Sequence, residues 1–375
     1  MPIYLSFKRI TGVIILMKLL YITYIDFTEN PKSGSAVRPQ KMYKAFLEHG
    51  VDVKLLECQQ NKRKQRKEKV KEILHWLDSN KPDICYIESP SGPIFNYIDL
   101  KLIKKVHKMG IPIGYFYRDA FWLFPEWMNL GKLKNNVIIF MNKITLSVLK
   151  NNCDILYFPT KSAAELFDFA YFKRVDMLPP AADIGNIKED VVNELYKNCV
   201  YVGAVSETDG TFELLKAFTY LNDKTDLNIS LTIVCREQEW EKINKSVDDT
   251  NCKWLRVIHA SGKELASIYS KSDVALFPRQ SDKYIDIAMP VKLFEYFSFG
   301  KPVIATKRIE PMKFIMENNC GLICNDDYKS IAKTIECFYR DEELQIRLKE
   351  NVKKTAKNNQ WVNRANKVME DLCSL

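Results

Sequence analysis

Short apolar segments alternate with helix-length amphipathic segments along most of this chain, and this alternation constrains its fold more than any other feature. In the first half, the alternation predicts helices over 38–49, 62–80 and 100–109, and strands over 19–25, 52–56, 84–87, 113–117, 155–158 and 176–178. Gly50 and Gly110 stand just past two of the helices, where a C-cap is expected. Strands that are apolar throughout and are separated by helices favour a parallel sheet covered on both faces.

The alternation is interrupted at Leu178–Asp183 (LPPAAD) and then resumes. Each proline fixes its own φ and restrains the residue before it, so this stretch has the stiffness of a linker. The length of 375 residues agrees with two domains at about 150 residues per domain. Downstream, we predict strands over 199–202, 230–235, 255–259, 274–277 and 302–305, and helices over 210–221, 237–248, 262–271, 290–299, 328–340, 342–358 and 361–372. The sequence therefore predicts an α/β protein of two doubly wound, Rossmann-like domains facing across a cleft, with C-terminal helices.

Cysteine and histidine usage argues against a metal centre. The ten cysteines form no CxxC pair, and the chain has only four histidines, so we expect no metal site. Unpaired cysteines in a chain of this size indicate a reducing, cytoplasmic compartment. We interpret residues 1–16 as a leader in front of a start at Met17, or as a tail that packs little, and we predict no transmembrane helix.

The stretch Met289–Thr306 (MPVKLFEYFSFGKPVIAT) carries the most chemistry. It predicts a loop, a helix beginning near Pro290, a glycine turn and a buried strand. Lys292 and Glu295 are three residues apart and therefore share one helix face near the positive end of the helix dipole. Lys292 suits a diphosphate, and Glu295 can accept hydrogen bonds from the cis-diol of a ribose. A plain surface Lys–Glu pair is the alternative.

This stretch resembles the donor-binding signature of the group 1 glycosyltransferases with the GT-B fold, and other blocks resemble the family in the same order. These blocks are the segment from Lys18 to Leu56, CDILYFPTKSAAELF, LPPAAD, VYVGAVSETDGTFELLKAF and SIYSKSDVALFP. The resemblance covers nearly the whole chain from Met17. It implies an acceptor-binding domain over 1–180, a nucleotide-sugar-binding domain over 181–358, and a helix over 359–375 that packs back on the first domain.

The chain departs from the family pattern around the donor. A second Glu that often touches the donor sugar is replaced by Ile287, with Asp286 beside it as a substitute. The loop Ala204–Gly210 lacks the usual Arg and Lys that grip the diphosphate. We expect Arg236, Arg279 and Lys292 to supply that charge, although Arg279 fits an ordinary solvated loop equally well.

In the first half, three segments are candidates for an acceptor or phosphate site. Ser33, Gly34 and Ser35 form a small-residue loop before a helix, and Glu88 follows a strand; either segment could be a plain turn. Arg118 and Asp119 stand where the family commonly has a His-Asp pair. They would act at the reacting centre by orienting an acceptor hydroxyl or binding a phosphate, or they form a structural salt bridge.

Positive charge is concentrated in the first half. The net charge is +9, and residues 1–184 hold 28 Lys and Arg against 18 Asp and Glu. The run Lys62–Lys71 holds seven basic residues and one acidic residue, which fits either a solvated helix face or attraction to anionic lipid headgroups. Val137–Leu149 is apolar enough for a membrane face or for a buried helix.

The resemblance implies a retaining glycosyltransferase that needs no metal and no cofactor, with a nucleotide sugar as co-substrate. We expect a UDP sugar as donor and a lipid-linked or polysaccharide acceptor, as in bacterial cell-surface glycan synthesis, and peripheral attachment to the inner face of the membrane. A sugar-nucleotide epimerase or a phosphorylase remains open because of the missing basic pair. A basic nucleic-acid-binding protein also remains open, although no nucleic-acid-binding motif is present and we expect no nucleic-acid partner.

Overall fold

The computed structural model describes residues 7–10, 13–28, 34–186, 197–243 and 252–375. These residues divide into two compact units, of which the first comprises Met1–Pro179 with Trp361–Leu375 and the second comprises Pro180–Gln360. Each unit is built on its own parallel sheet, as expected when every strand is followed by a crossover helix.

The first unit contains a six-stranded sheet with the strand order β4-β3-β5-β6-β7-β8, and a separate antiparallel pair, β1 and β2. Its strands are β1 (Phe7–Ile10), β2 (Val13–Leu16), β3 (Lys18–Ile22), β4 (Asp52–Leu56), β5 (Ile84–Glu88), β6 (Ile113–Phe116), β7 (Ile155–Phe158) and β8 (Val175–Met177). Its helices are α1 (Gly34–Glu48), α2 (Arg63–Ser79), α3 (Tyr97–Lys108), α4 (Lys132–Asn152), α5 (Lys161–Ala164) and the C-terminal α14 (Trp361–Cys373). Helix α14 packs against α1.

The second unit contains a six-stranded sheet with the strand order β11-β10-β9-β12-β13-β14. Its strands are β9 (Asn198–Val202), β10 (Ser230–Val234), β11 (Leu255–Ile258), β12 (Val274–Phe277), β13 (Val303–Thr306) and β14 (Gly321–Cys324). Its helices are α6 (Thr211–Lys224), α7 (Glu237–Trp240), α8 (Glu264–Ser270), α9 (Lys283–Ile287), α10 (Val291–Ser298), α11 (Ile309–Asn318), α12 (Tyr328–Arg340) and α13 (Glu342–Asn358).

The central strands are buried along their whole length, which is why they read as uninterrupted apolar runs. Every residue of β5, β6, β7, β12 and β13 is buried. A parallel sheet with helices on both faces has no solvated side, so its strands do not alternate between apolar and polar residues. The predicted α/β class is therefore confirmed.

Two predicted helices differ in extent. The helix expected over 237–248 is described only as α7, and residues 244–251 lie outside the described residues. The helix expected over 137–149 extends from Lys132 to Asn152, and its first half is not buried, since Leu133, Val137 and Phe140 are exposed.

Candidate functional site

Helix α10 positions the charged pair that the sequence singled out in the second unit. Pro290, in an extended conformation, caps the helix, and its fixed φ suits that position. Leu293, Phe294, Tyr296 and Phe297 are buried and hold the helix against the core. Lys292 and Glu295 lie on the remaining face, three residues apart, and are only partly covered.

The carboxylate of Glu295 is held from two sides. Lys292 Nζ lies 2.9 Å from Oε1 and 2.8 Å from Oε2, and the hydroxyl of Tyr269 donates to Oε1 at 2.7 Å. Tyr269 is buried and stacks on Phe299 with ring centroids 4.3 Å apart. Burial, and then the charge of Glu295, raises the pKa of Tyr269, so its hydroxyl stays a donor. Because a carboxylate has about four acceptor positions, Glu295 retains capacity for further hydroxyl donors.

The loop after β9 is fixed against the end of β12 through a glycine. Gly210 has φ +77°, and a Cβ at this position would lie 1.7 Å from the carbonyl oxygen of Pro278. No residue with a side chain fits there without moving the loop. The close approach brings the neighbouring Asp209 to Arg279, with Oδ1 2.9 Å from Nη2. Arg279 thus lies at the carboxyl end of β12 in an ion pair, with about a third of its side chain exposed.

Asp286 is tied to a residue that the sequence reasoning missed. Arg308 follows β13 and contacts Asp286 Oδ1 at 3.0 Å and Asp326 Oδ2 at 3.1 Å. Its side chain is buried, whereas the two carboxylates are partly exposed. Burial raises the pKa of Asp286 and the charge of Arg308 opposes that rise. Arg308 therefore keeps two carboxylates together that would otherwise repel each other.

Arg236 is not brought to this group by any described contact. It precedes α7, its side chain is exposed, and its Nη1 lies 3.2 Å from Glu239 Oε1 on the same short helix. Lys292, Arg279 and Arg308 are thus the cations of this group, and each is paired with one or two carboxylates.

Arg118 and Asp119 lie at the carboxyl end of β6 in the first unit. Arg118 Nε is 3.3 Å from Asp119 Oδ2, its Nη2 donates to the carbonyl of Ser89 at 2.6 Å, and its amide donates to Ser89 Oγ at 3.1 Å. These contacts join the loops that follow β5 and β6. Both side chains keep a partly exposed surface, so a ligand can reach the pair.

The structure places Glu88 differently from the prediction. It is the last residue of β5 rather than part of the loop that follows, and it is fully buried. Arg38 Nε lies 3.0 Å from its Oε1, and the hydroxyl of Tyr86 donates to the same oxygen at 2.7 Å. Arg38 also donates to the carbonyl of Leu178 at 3.0 Å. Glu88 is thus the partner of a buried arginine and does not face a ligand.

The small-residue loop is also displaced from the prediction. Gly34 and Ser35 are the first residues of α1 rather than part of a loop. Ser33 lies outside the described residues. Helix α1 therefore begins one turn earlier than expected and contains Pro39.

The basic run Lys62–Lys71 is partly structural. Arg66 is buried on α2 and pairs with Asp99 at 2.7 Å, Lys62 pairs with Asp26, and Lys69 pairs with Glu57. The remaining four basic side chains are exposed: Arg63, Lys64, Lys67 and Lys71.

Two residues of the second-unit site, Tyr269 and Arg308, escaped the sequence reasoning for different reasons. Arg308 comes just after a buried strand, which is the same signal that pointed to Arg279. Tyr269 lies on α8 and reaches Glu295 on α10, and no sequence spacing reports such a contact between two helices.

Within the described residues, no three His, Cys, Asp or Glu side chains are grouped in a way that could hold a metal ion. None of the described helices combines the length and the apolar character needed to cross a bilayer.

Residues 185–355 match the family model of the group 1 glycosyl transferases. This match covers the strands and helices that carry Arg279, Lys292, Glu295 and Arg308. A search of curated proteins found no match.

Solved structures of the same fold cover nearly the whole chain. Sucrose-phosphate synthase from Thermosynechococcus elongatus is 12% identical, with a TM-score of 0.67 over 94% of this chain and 98% of its own. HepE from Anabaena, solved with UDP, is 12% identical, with a TM-score of 0.64 over 96% and 100%. WaaG, a glycosyltransferase involved in lipopolysaccharide biosynthesis, is 13% identical, with a TM-score of 0.63 over 94% and 99%.

These likenesses confirm the GT-B fold for this chain. The family match confirms the resemblance over residues 185–355, the segment that carries the signature. The protein is therefore a glycosyltransferase of GT-B fold whose second unit is a group 1 glycosyltransferase domain.

Proposed function

We propose that this enzyme transfers a sugar from a UDP sugar to a lipid-linked or polysaccharide acceptor, with retention of configuration, in bacterial cell-surface glycan synthesis. The observation that carries the donor assignment is the contact of Glu295 with Lys292 and Tyr269 on the open face of α10. The choice of nucleotide is supported by the fold likeness to HepE, which was solved with UDP. The choice of acceptor is supported by the likeness to WaaG.

In this proposal the second unit binds the donor. Glu295 accepts hydrogen bonds from the two ribose hydroxyls. Because its side chain is already held in place, less conformational entropy is lost when the ribose binds. Lys292 and the amino end of α10 face the diphosphate, and Arg279 adds a second positive charge. Negative charge develops on the diphosphate as the glycosidic bond breaks, so these groups stabilise the transition state more than the ground state.

The first unit binds the acceptor. Arg118 is held by Ser89 and keeps a small part of its side chain exposed, which suits the orientation of a hydroxyl or the binding of a phosphate. In the second unit, Asp286 is held by Arg308, and we assign its carboxylate to the donor sugar. We assign no step to a metal ion or to a cofactor.

We place the enzyme in the cytoplasm, on the inner face of the membrane. The four exposed basic side chains of the run Lys62–Lys71 support attraction to anionic headgroups, whereas the three paired ones serve the fold.

The decisive variant is Glu295→Ala. We expect UDP release from UDP sugars in the presence of acceptor to fall by at least about a hundredfold, because the ribose loses both hydrogen bonds. The free energy of unfolding should fall by about 1–3 kcal/mol, because the buried hydroxyl of Tyr269 loses its acceptor, and the variant should remain folded.

The matched control is Glu336→Gln on α12, which also removes a partly exposed carboxylate from an ion pair. It should leave transfer unchanged. Full activity of Glu295→Ala with every UDP sugar tested would overturn the donor assignment. Conversion of a sugar nucleotide without acceptor would instead identify an epimerase.

A further inference from the structure

The first half of α4 carries an exposed apolar ridge with no buried residue between Lys132 and Met141. Leu133 is 80% exposed, Val137 is 49% exposed and Phe140 is 63% exposed. These three positions are spaced i, i+4 and i+7, so at about 100° per residue they lie within roughly 60° of one another on the helix surface. The segment in front of the helix adds three further exposed apolar side chains, of Leu123, Trp127 and Leu130.

The charge along this ridge is mainly positive, although the exposed Glu126 directly precedes Trp127. The segment 127–153 contains four lysines and no acidic residue or arginine. On a helix, Lys132 and Lys134 lie about 100° to either side of Leu133, and Lys143 lies about 80° from it. Lysines therefore border the apolar ridge on both sides, with their ammonium groups free to reach outward along flexible stems.

The ridge is held in a fixed orientation by the rest of the unit. Asn142 is buried on the side of the helix opposite Leu133, and Thr145 Oγ1 accepts a hydrogen bond from the amide of Ile94 at 3.1 Å. The side chain of Asn135 donates to the carbonyl of Met128, which attaches the preceding segment to the helix. The loop that contains Ile94 begins at Ser89, which contacts Arg118. The ridge is therefore attached to the loops that we assign to the acceptor.

We propose that the first half of α4, with Trp127 and Leu130, docks onto the surface of a lipid bilayer that contains anionic headgroups. An apolar ridge bordered by lysines has the chemistry of an interfacial helix, whose apolar face enters the headgroup boundary while the lysines contact lipid phosphates. The proposal deepens the membrane part of the proposed function and rests on that part alone.

The test is co-sedimentation of the full chain with vesicles of phosphatidylcholine and phosphatidylglycerol. We expect the wild type to bind, and the variant Leu133→Ser, Val137→Ser, Phe140→Ser to bind at least about tenfold less, since three apolar side chains no longer enter the bilayer. The matched control Leu47→Ser, Met316→Ser, Ile346→Ser removes three exposed apolar side chains elsewhere and should bind as the wild type does. Circular dichroism and thermal unfolding check that all variants fold.

Variants of the lysines distinguish the electrostatic contribution to membrane binding from the apolar contribution. Lys132→Gln, Lys134→Gln, Lys143→Gln should weaken binding to the mixed vesicles by at least about fivefold and leave binding to pure phosphatidylcholine unchanged. Neutralising Arg63, Lys64, Lys67 and Lys71 on α2 should have a smaller effect than the ridge variant.

The proposal would be overturned if the wild type did not bind vesicles, or if the ridge variant bound as well as the wild type. It would also be overturned if the wild type formed a dimer without lipid in sedimentation velocity and the ridge variant were a monomer. The last outcome would assign the ridge to a second copy of this chain. UDP binding, followed by thermal shift, is measured without lipid, so a failure of the donor assignment would be seen separately.

Discussion

The two units contain ion pairs that differ in how deeply they are buried. In the first unit, Arg38 with Glu88 and Arg66 with Asp99 form ion pairs whose side chains are at most 2% exposed. In the second unit, Lys292 and Glu295 pair with 31% and 25% of their side chains exposed. Glu88, the last residue of a buried strand, shows that a charged residue at a strand end is not by itself evidence of a ligand site. A buried pair maintains the fold, and a half-exposed pair remains available to a ligand.

The surroundings of Arg66 show what a structural pair looks like. Besides Asp99, Arg66 donates to the carbonyls of Thr23 at 2.6 Å and Cys58 at 3.0 Å, and it lies 4.3 Å over the ring of Tyr24. These contacts join the segments that follow β3 and β4. No part of the guanidinium is left for a ligand.

The largest effect should follow from breaking this buried pair. Arg66→Met leaves the Asp99 carboxylate buried without its charge partner, and we expect a loss of about 3–5 kcal/mol in the free energy of unfolding, measured by urea denaturation at pH 8. Burial already raises the pKa of Asp99 while Arg66 lowers it, so removing Arg66 raises that pKa further. A protonated Asp99 costs less to bury, and the loss should therefore shrink as the pH falls towards and below that pKa.

The control for this variant replaces both partners. Arg66→Met with Asp99→Leu removes both charges, and it should recover much of the lost stability. A penalty that is the same at pH 5 and pH 8, or no recovery in the double variant, would show that the arginine contributes packing rather than charge pairing.

A smaller effect on stability, together with an effect on binding, should follow from Arg279→Ala in the second unit. Arg279 is about a third exposed but its partner Asp209 is buried, so we expect a loss of about 1–3 kcal/mol in the free energy of unfolding, less than for the fully buried Arg66–Asp99 pair. A charge-assisted hydrogen bond to a phosphate contributes about 1.5–3 kcal/mol, so UDP affinity measured by calorimetry should fall at least about tenfold. Arg340→Ala, which also removes a partly exposed arginine pair, should leave UDP affinity unchanged.

The opposite result, a large loss of stability with UDP affinity unchanged, would change the role that we assign to Arg279. If Arg279→Ala lowered stability by several kcal/mol and left UDP affinity intact, Arg279 would belong with the structural pairs of the first unit. The positive charge on the diphosphate would then rest on Lys292 and the amino end of α10.

Most of the fold could be predicted from the sequence because the central strands are buried on both faces. The strands Asp52–Leu56, Ile155–Phe158 and Val274–Phe277 have the bounds that the apolar runs predict. The sequence reasoning missed α11 and β14. Pro311 is a residue that usually interrupts a helix, but it is the third residue of α11 and lies in the first turn, where its missing amide hydrogen is not needed.

The candidate site was predictable only where its chemistry lies within one helix. The spacing of Lys292 and Glu295 predicts a shared face, and the structure places the two side chains in contact. Glu88 could not be placed from sequence, because its partner Arg38 lies 50 residues earlier in the chain. The apolar run Val137–Leu149 left a membrane face and a buried helix open, since such a run reads the same in both cases, and only the structure shows that its first half is exposed.

The smallest effect should follow from Tyr269→Phe, which tests how closely the half-exposed pair of the second unit is held. The variant keeps the ring that stacks on Phe299 and removes the hydroxyl that donates to Glu295. Because Lys292 still contacts both carboxylate oxygens, we expect UDP affinity to weaken by about 1 kcal/mol, or roughly fivefold, in calorimetry. In the double variant Tyr269→Phe with Glu295→Ala, removal of the hydroxyl should have no further effect on UDP binding. An equal loss of UDP affinity in the wild-type and Glu295→Ala backgrounds would mean that Tyr269 acts on the nucleotide independently of Glu295. The partly exposed Lys292–Glu295 pair would then not explain how the donor binds.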